Sequence, residues 1–375
     1  SKYLKFKEEK MNLPELKIGD LTAKIPVIQG GMGIGISLNR LAGSVAAQGG
    51  IGILSTAQIG FQEEKFQRAS VRTNLQTIKK QLDKARSFAK GGILGFNVMV
   101  ASFRYDEVVK ATVEAGADVI ISGAGLPMNL PELVGNAKTK IAPIVSSVKA
   151  AKIILRNWAK KYNRTADFVV IEGPKAGGHL GFKATEIEHA MQTMDDEVVK
   201  IIAHIKEYEE KFDTKIPVVF AGGVWDRADI EHYLNLGCSG VQMATRFIGT
   251  EECDAPDDFK DRFLKATEDD IHLTTSPVGL PGRAIDNKFT ETISAGVADY
   301  KAQAAPKTPI IPIAKCLNCL QVKLCDRKTI PYCISEALLN SVEHNTDMGL
   351  IFSGTNGYKI NEITTVKAIF EELTA

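Results

Sequence analysis

Eight short apolar runs, each followed by a stretch with helical periodicity, constrain this chain more than any other feature. The runs do not alternate between apolar and polar side chains, as half-exposed strands do. They therefore predict parallel strands that are buried on both faces. The runs cover residues 25–29, 51–54, 93–99, 118–122, 141–146, 168–172, 216–221 and 240–243.

The stretches between the runs predict the helices that join these strands. In residues 195–212, for example, Val198, Ile201 and Ile205 recur at spacings of three and four and so share one helix face. Eight β/α units fit a closed (β/α)8 TIM barrel better than an open doubly wound α/β sheet, which usually has about five or six strands. The open sheet remains the alternative. The predicted helices cover residues 38–48, 63–88, 106–114, 130–134, 148–162, 195–212, 226–236 and 251–270.

The regular alternation stops near residue 270. Residues 273–285 are rich in Pro and Gly, and residues 304–313 are interrupted by prolines, which is typical of loops and linkers. We therefore predict two domains, a barrel over residues 12–270 and a C-terminal extension over residues 271–375. The extension carries a four-cysteine cluster and is a candidate lid.

Composition and charge argue against several classes of protein. The chain has 46 Lys and Arg against 45 Asp and Glu, a net charge of +1, which is too small for the basic surface that nucleic-acid binding requires. No apolar run approaches the roughly 20 residues that span a bilayer, and residues 1–10 are rich in charge. Six cysteines in so long a chain do not indicate a disulfide scaffold. We expect a cytoplasmic protein with no nucleic-acid partner, no membrane anchor and no secretory signal.

Functional side chains of a barrel lie where its strands end, at their carboxyl ends. Residues 29–35 (QGGMGIG) follow the first run, and their glycines let backbone N–H groups approach a flat ring or an anion. A tight turn explains them equally well. Asn97 lies within the third run, where its carboxamide offers a donor and an acceptor to the edge of a heterocycle. A structural amide is the alternative reading.

The last three runs end in more specific patterns. Glu172 ends the sixth run, and His179 follows between Gly178 and Gly181, where an imidazole is placed to move protons near neutral pH. Glycines at residues 222–223 follow the seventh run, and residues 242–246 end the eighth. Paired loops after strands seven and eight are typical of a phosphate site in a barrel.

Together these motifs resemble those of the nitronate monooxygenase family, formerly called 2-nitropropane dioxygenases. The resemblance spans residues 12–290, with the motifs in family order. The family depends on FMN, and the flavoprotein enoyl-acyl-carrier-protein reductases of the FabK type share nearly the same signature. The motifs are residues 26–32 (PVIQGGM), the strand with Asn97, Glu172 with residues 176–179 (AGGH), residues 221–223 (AGG) and residues 240–247 (GVQMATRF).

The resemblance implies an FMN-dependent oxidoreductase that oxidises alkyl nitronates with O2 to a carbonyl compound and nitrite. The alternative is an NAD(P)H-dependent enoyl-thioester (enoyl-ACP) reductase, and a carrier of flavin or metal without catalysis is a third reading. A small-molecule substrate is the expected partner, with NAD(P)H in the reductase reading, and a homo-oligomer is left open.

The resemblance also assigns roles to single residues. His179 matches the catalytic histidine, which accepts a proton from a neutral nitroalkane or orients an anionic substrate. Ala244 stands where the family commonly has Gly, and its methyl group is tolerated if φ is negative there. The residues implied to bind FMN are Gly30, Gly31, Met32, Asn97, Glu172, Gly177, Gly178, Gly222, Gly223, Gln242, Met243, Ala244 and Thr245.

Four of the six cysteines crowd into the extension with the spacing C-x2-C-x5-C-x7-C. Four thiolates at such spacing suit a tetrahedral zinc site or an iron–sulfur cluster. The second pair lacks the C-x2-C of a zinc ribbon, so chance clustering remains an alternative. The cysteines predicted to bind metal are Cys316, Cys319, Cys325 and Cys333.

Overall fold

The computed structural model describes residues 12–305 and 307–375, so the charged residues 1–10 lie outside the described part. Thirteen strands are present in it. They are β1 (Leu16–Ile18), β2 (Leu21–Ala23), β3 (Val27–Gln29), β4 (Ile51–Ser55), β5 (Ile93–Met99), β6 (Val119–Gly123), β7 (Lys140–Val145), β8 (Val169–Glu172), β9 (Gly178–His179), β10 (Val218–Ala221), β11 (Gly240–Met243), β12 (Ile271–Thr274) and β13 (Gly282–Ile285).

Eight of these strands close into a barrel of parallel strands. Their order is β10-β11-β3-β4-β5-β6-β7-β8, and each of the eight predicted runs overlaps one of them. The predicted TIM barrel is therefore confirmed. The helices are α1 (Asn39–Ala47), α2 (Ser70–Phe88), α3 (Tyr105–Glu114), α4 (Leu130–Val134), α5 (Val148–Tyr162), α6 (Ile187–Phe212), α7 (Arg227–Leu236), α8 (Thr245–Ile248), α9 (Asp257–Lys265), α10 (Lys288–Ala302), α11 (Ile334–Val342) and α12 (Val366–Thr374).

The interior of the barrel is filled by aliphatic side chains, and the hairpin of β1 and β2 extends this core. Leu16 and Ile18 are buried in the same cluster as Ile53 and Val170, which belong to barrel strands. Burial of such side chains contributes about 1.5 to 3 kcal/mol each. The hairpin, which the sequence patterns did not predict, therefore continues the core at one end of the barrel.

Buried Gln29 joins the first two strands of the barrel. Its Nε2 donates to the carbonyl of Ile53 at 3.0 Å, and its Oε1 accepts from the N–H of Ile53 at 3.1 Å. Since β3 has only three residues, this side chain continues the ladder where the backbone of the strand turns away. Gln29 is thus a structural amide below the glycine loop.

The outer ring is completed by the last helix of the chain. Helix α12 lies against α1 and α7, Phe370 packs against Phe247 with ring centroids 6.0 Å apart, and Glu372 forms an ion pair with Arg246. The chain therefore leaves the barrel after α8 and returns to it at α12. The predicted domain boundary at residue 270 is not tested by this packing and stays a prediction.

Three helices differ from the sequence-based bounds by more than one residue at an end. The predicted helix over residues 251–270 is reduced to α9, because Asp254 instead accepts N–H groups of Leu38, Arg40 and Leu41 at the start of α1 and Pro256 precedes the first turn. Helix α2 begins at residue 70 instead of 63, and α6 begins at 187 instead of 195. No helix in the described ranges is both long and apolar enough to cross a bilayer.

Candidate active site

A cavity of about 690 Å³ lies at the carboxyl ends of the barrel strands, and we call it the rim cavity. Asn97, Glu172 and His179 line it from the barrel side. Cys319 and Phe352 line it from the C-terminal segments. The barrel and the C-terminal segments therefore both contribute to the site, although the sequence motifs predicted functional residues almost wholly in the barrel.

The structure brings together nearly all residues implied to bind FMN. Gly30 is the exception, because it does not line the rim cavity. A Cβ on Gly30 would lie 2.9 Å from Nε2 of Gln242, so Gly30 instead supports that side chain from below. Ala244 has φ −123°, so its methyl group fits without strain. The predicted residues that line the rim cavity are Gly31, Met32, Asn97, Glu172, Gly177, Gly178, His179, Gly222, Gly223, Gln242, Met243, Ala244 and Thr245.

These residues fit a phosphorylated flavin on two observations. Within the described part of the chain, the buried Oε1 of Gln242 has no hydrogen-bond donor, and an isoalloxazine ring offers N–H donors. Gly222 and Gly223 have φ of +114° and +75°, conformations that side chains rarely adopt and that turn backbone N–H groups toward an anion. An unsatisfied buried acceptor costs about 1 to 3 kcal/mol, which a bound ring would recover.

A loop at residues 353–356 covers the glycine loops, and no sequence motif predicted this loop. The N–H of Gly354 donates to Oγ1 of Thr245 at 3.0 Å. Nδ2 of Asn356 donates to the carbonyl of Gly223 at 2.8 Å. A Cβ on Gly177 would lie 2.6 Å from the backbone nitrogen of Gly354, so Gly177 is required for this close approach.

His179 is held by a small sheet that forms outside the barrel. Its strand β9 pairs with β13, with Gly282 opposite His179. Arg283 of β13 is buried and donates to the carbonyls of Pro174 and Ala176, each at 2.7 Å. The loop that carries the imidazole is therefore fixed by backbone pairing and by a guanidinium group.

The imidazole of His179 is neutral at neutral pH. Burial lowers its pKa from 6.5 to about 4, because a desolvated site disfavours the charged ring. Nε2 lies 2.6 Å from Oγ of Ser276, and the ring of Phe352 meets the imidazole edge-on at 5.2 Å. Ser276 is a functional candidate that no sequence motif indicated.

Glu172 at the end of β8 carries the second perturbed group of the rim cavity. Desolvation by burial raises its pKa from 4.5 to about 7. Its carboxyl group therefore holds a proton over much of the acidic range. In that form it can donate a hydrogen bond as well as accept one.

We expect Glu172 to make the flavin-free protein less stable as the pH rises. Because its pKa is about 7 in the folded chain against 4.5 ordinarily, the folded state binds the extra proton between these values. The free energy of unfolding of wild type relative to Glu172→Gln should therefore fall from pH 4.5 to pH 7 and level off above. Urea unfolding at several pH values measures this difference. Both proteins carry His179, so its opposite effect on the free energy of unfolding cancels. A flat difference would contradict the prediction.

The four clustered cysteines lie beside the rim cavity, not in a separate domain. Cys319 lines the cavity, and Cys333 immediately precedes α11. Over the described ranges, no group of three or more His, Cys, Asp or Glu side chains is arranged to hold one metal ion. A metal at these thiols therefore stays a prediction. Cys238 and Cys253 are buried free thiols.

Comparisons with known proteins show what this chain is similar to. The model of the nitronate monooxygenase family matches residues 15–375. A (3aS,4S,5R,7aS)-5-hydroxy-7a-methyl-1-oxo-octahydro-1H-indene-4-carboxyl-CoA dehydrogenase of Mycobacterium tuberculosis is 28% identical over 72% of this chain and 66%, about two thirds, of its own. A probable nitronate monooxygenase of Staphylococcus aureus is 25% identical over 76% of this chain and 82% of its own.

A solved structure is similar to this chain over most of its length. The structure of FabK from Thermotoga maritima superimposes with a TM-score of 0.67 at 25% identity, and it covers 93% of this chain and 91% of that one. The similarity therefore extends beyond the barrel into the C-terminal segments.

Proposed function

This chain belongs to the nitronate monooxygenase family, and we propose that it oxidises alkyl nitronates with O2 to a carbonyl compound and nitrite. Membership makes it an FMN-dependent oxidoreductase. The observation that carries the proposal is the neutral imidazole of His179 on the wall of the rim cavity. A neutral imidazole can accept the proton that a neutral nitroalkane must lose, or orient the oxygen of an anionic nitronate.

FMN, when bound, supplies the electron transfer between substrate and O2. The chain's own residues bind and orient it. We assign the phosphate to Gly222, Gly223 and Thr245, and the ring to the neighbourhood of Asn97 and Gln242. Phe352 packs edge-on against the imidazole of His179, and burial of the imidazole favours its neutral form.

Oxygen uptake and nitrite release on mixing the FMN-loaded protein with propyl-2-nitronate test this proposal. We expect both signals to appear together. Their absence, with FMN shown to be bound by its absorption, would reject nitronate as the substrate.

A second candidate is an NAD(P)H-dependent enoyl-thioester reductase, and one observation favours it. The rim cavity, at about 690 Å³, is far larger than a small nitronate needs, and a carboxyl-CoA dehydrogenase and FabK are among the similar proteins. Anaerobic bleaching of the flavin by NADH or NADPH, followed by reoxidation with an enoyl thioester, would establish this reading. The apolar side chains that line this cavity include Leu126, Val278, Leu280, Leu320, Leu324 and Leu338.

Ser276→Ala is expected to lower kcat about tenfold and to leave KM nearly unchanged. The hydroxyl group holds Nε2 of His179 at 2.6 Å and accepts the N–H of Val278 at 3.3 Å, so its loss frees the ring to rotate. A hydrogen bond of about 1 to 1.5 kcal/mol corresponds to such a factor. Steady-state kinetics of Ser276→Ala and Ser276→Thr measure it. Threonine keeps the hydroxyl group, so an equal loss in both variants would contradict a positioning role.

The cytoplasmic location, the homo-oligomer and the lid role of residues 271–375 stay predictions.

A further inference from the structure

The four clustered cysteines are close to one another although they come from three short segments. The pKa of Cys319 is raised to about 11, first by burial and then by the thiols of Cys333, Cys325 and Cys316. The thiols of Cys333 and Cys316 likewise raise the pKa of Cys325 after burial, and the thiol of Cys316 adds to the raised pKa of Cys333. Cys319 and Cys325 also pack against one apolar cluster, which contains Tyr332 and Ile334, the chain neighbours of Cys333. The thiols therefore lie in one region of the fold. Four such groups repel one another as thiolates unless a cation lies between them.

Backbone N–H groups point at two of the sulfurs. The N–H of Asn318 donates to Sγ of Cys316 at 3.4 Å, and Asn318 takes the left-handed conformation with φ +51°. Burial raises the pKa of Cys333, and the backbone N–H groups of Glu336 and Ser335 at the start of α11 oppose that rise. Hydrogen bonds of this kind favour thiolates over thiols, and they orient and tune sulfur ligands.

The segment is fixed to the barrel independently of any metal. The N–H of Phe103 donates to the carbonyl of Cys319 at 3.1 Å, and the N–H of Gln321 donates to the carbonyl of Ala101 at 2.9 Å. The surroundings are apolar, with Leu320 and Tyr332 buried beside Cys319 and Cys325. The segment that carries Cys319 is therefore held in place at the wall of the rim cavity, and Cys319 itself lines the cavity.

We propose that Cys316, Cys319, Cys325 and Cys333 bind an iron–sulfur cluster in the wall of the rim cavity. A single zinc ion would draw four sulfurs to about 2.3 Å from one point, which places them about 4 Å apart. The described residues offer no group arranged around one ion in this way. In a cluster each thiolate binds a different iron, or two share one, and bridging sulfides separate the irons. Four thiols that are gathered in one region and are not arranged around a single ion are compatible with this second geometry.

The test is chemical analysis of the full chain, purified without a tag and without oxygen and then reconstituted with ferrous iron and sulfide under argon. We expect equal iron and acid-labile sulfide, between about two and four of each per chain. A broad visible absorption and an electron paramagnetic resonance signal after dithionite reduction should accompany them. Less than about one iron per chain, or stoichiometric zinc in the purified protein, would overturn the proposal. FMN content is measured separately, so this result does not depend on the proposed substrate.

Two variants make the assignment specific to these thiols. Cys325→Ala should lower bound iron at least about tenfold and keep FMN, because Cys325 belongs to the four but does not line the rim cavity. Cys238→Ala, at a buried cysteine outside the cluster, should keep both iron and FMN. Iron retained in full by Cys325→Ala, or lost equally in both folded variants, would show that these thiols are not the ligands.

Discussion

Replacing His179 by asparagine is expected to slow turnover of a neutral nitroalkane by a factor of about 10² to 10⁴, the usual contribution of a positioned base. Turnover of the matching nitronate should fall much less, because the nitronate has already lost the proton. The pKa of about 4 keeps the imidazole unprotonated across the neutral range, so the difference should persist from pH 6 to pH 8. Initial rates of oxygen uptake with nitroethane and with ethyl nitronate measure it.

The matched control is His232→Asn. That imidazole lies on the surface beside Asp195 at 2.8 Å, outside the rim cavity, and its loss should leave both rates unchanged. Equal losses with nitroethane and its nitronate in His179→Asn would mean that the imidazole orients substrate and does not take a proton. Unchanged rates with both substrates, at full FMN content, would remove His179 from the reaction. The experiment assumes the proposed nitronate activity.

The barrel could be predicted because its signal is local. Each strand is a short apolar run buried on both faces, and strand β5 (Ile93–Met99) was predicted to the residue. The hairpin of β1 and β2 was missed, since each strand is short and interrupted by a polar residue, so neither forms a continuous apolar run. The position of α12 in the outer ring could not be predicted either. It depends on contacts such as Phe370 with Phe247, which join residues more than a hundred positions apart and leave no pattern in either segment.

The site shows the same division between local and distant information. The glycine motifs and His179 were found because each follows a strand end, where a barrel places its chemistry. Ser276 and Phe352 were not found, because their role exists only through a small sheet and a returning loop that bring them to the imidazole. Residues 353–357 (SGTNG) are glycine-rich, and that was the one local signal for the loop over the phosphate site.

The close packing of the barrel on its helices rests on a few glycines, and Gly52 in β4 is the clearest. A Cβ on Gly52 would lie 1.9 Å from the carbonyl oxygen of Ala42 and 2.5 Å from its carbonyl carbon. Both atoms belong to the backbone of α1, so no side-chain rotation relieves the overlap. Helix α1 would have to move away from β4, and it packs closely against α2 and α12 as well.

Gly52→Ala is therefore expected to lower the free energy of unfolding by about 3 kcal/mol, the upper part of the range for overpacked cores. Urea unfolding followed by circular dichroism measures the change. Gly116→Ala is the control, because Gly116 has φ +91° and a Cβ there would meet no atom within 4 Å, so only backbone strain of about 1 kcal/mol applies. If both variants lost the same stability, contact between β4 and α1 would not be the reason for glycine at position 52. A larger loss at Gly52 would show that the absence of a side chain at this position sets the distance between β4 and α1. That distance then determines how the first β/α unit closes the barrel.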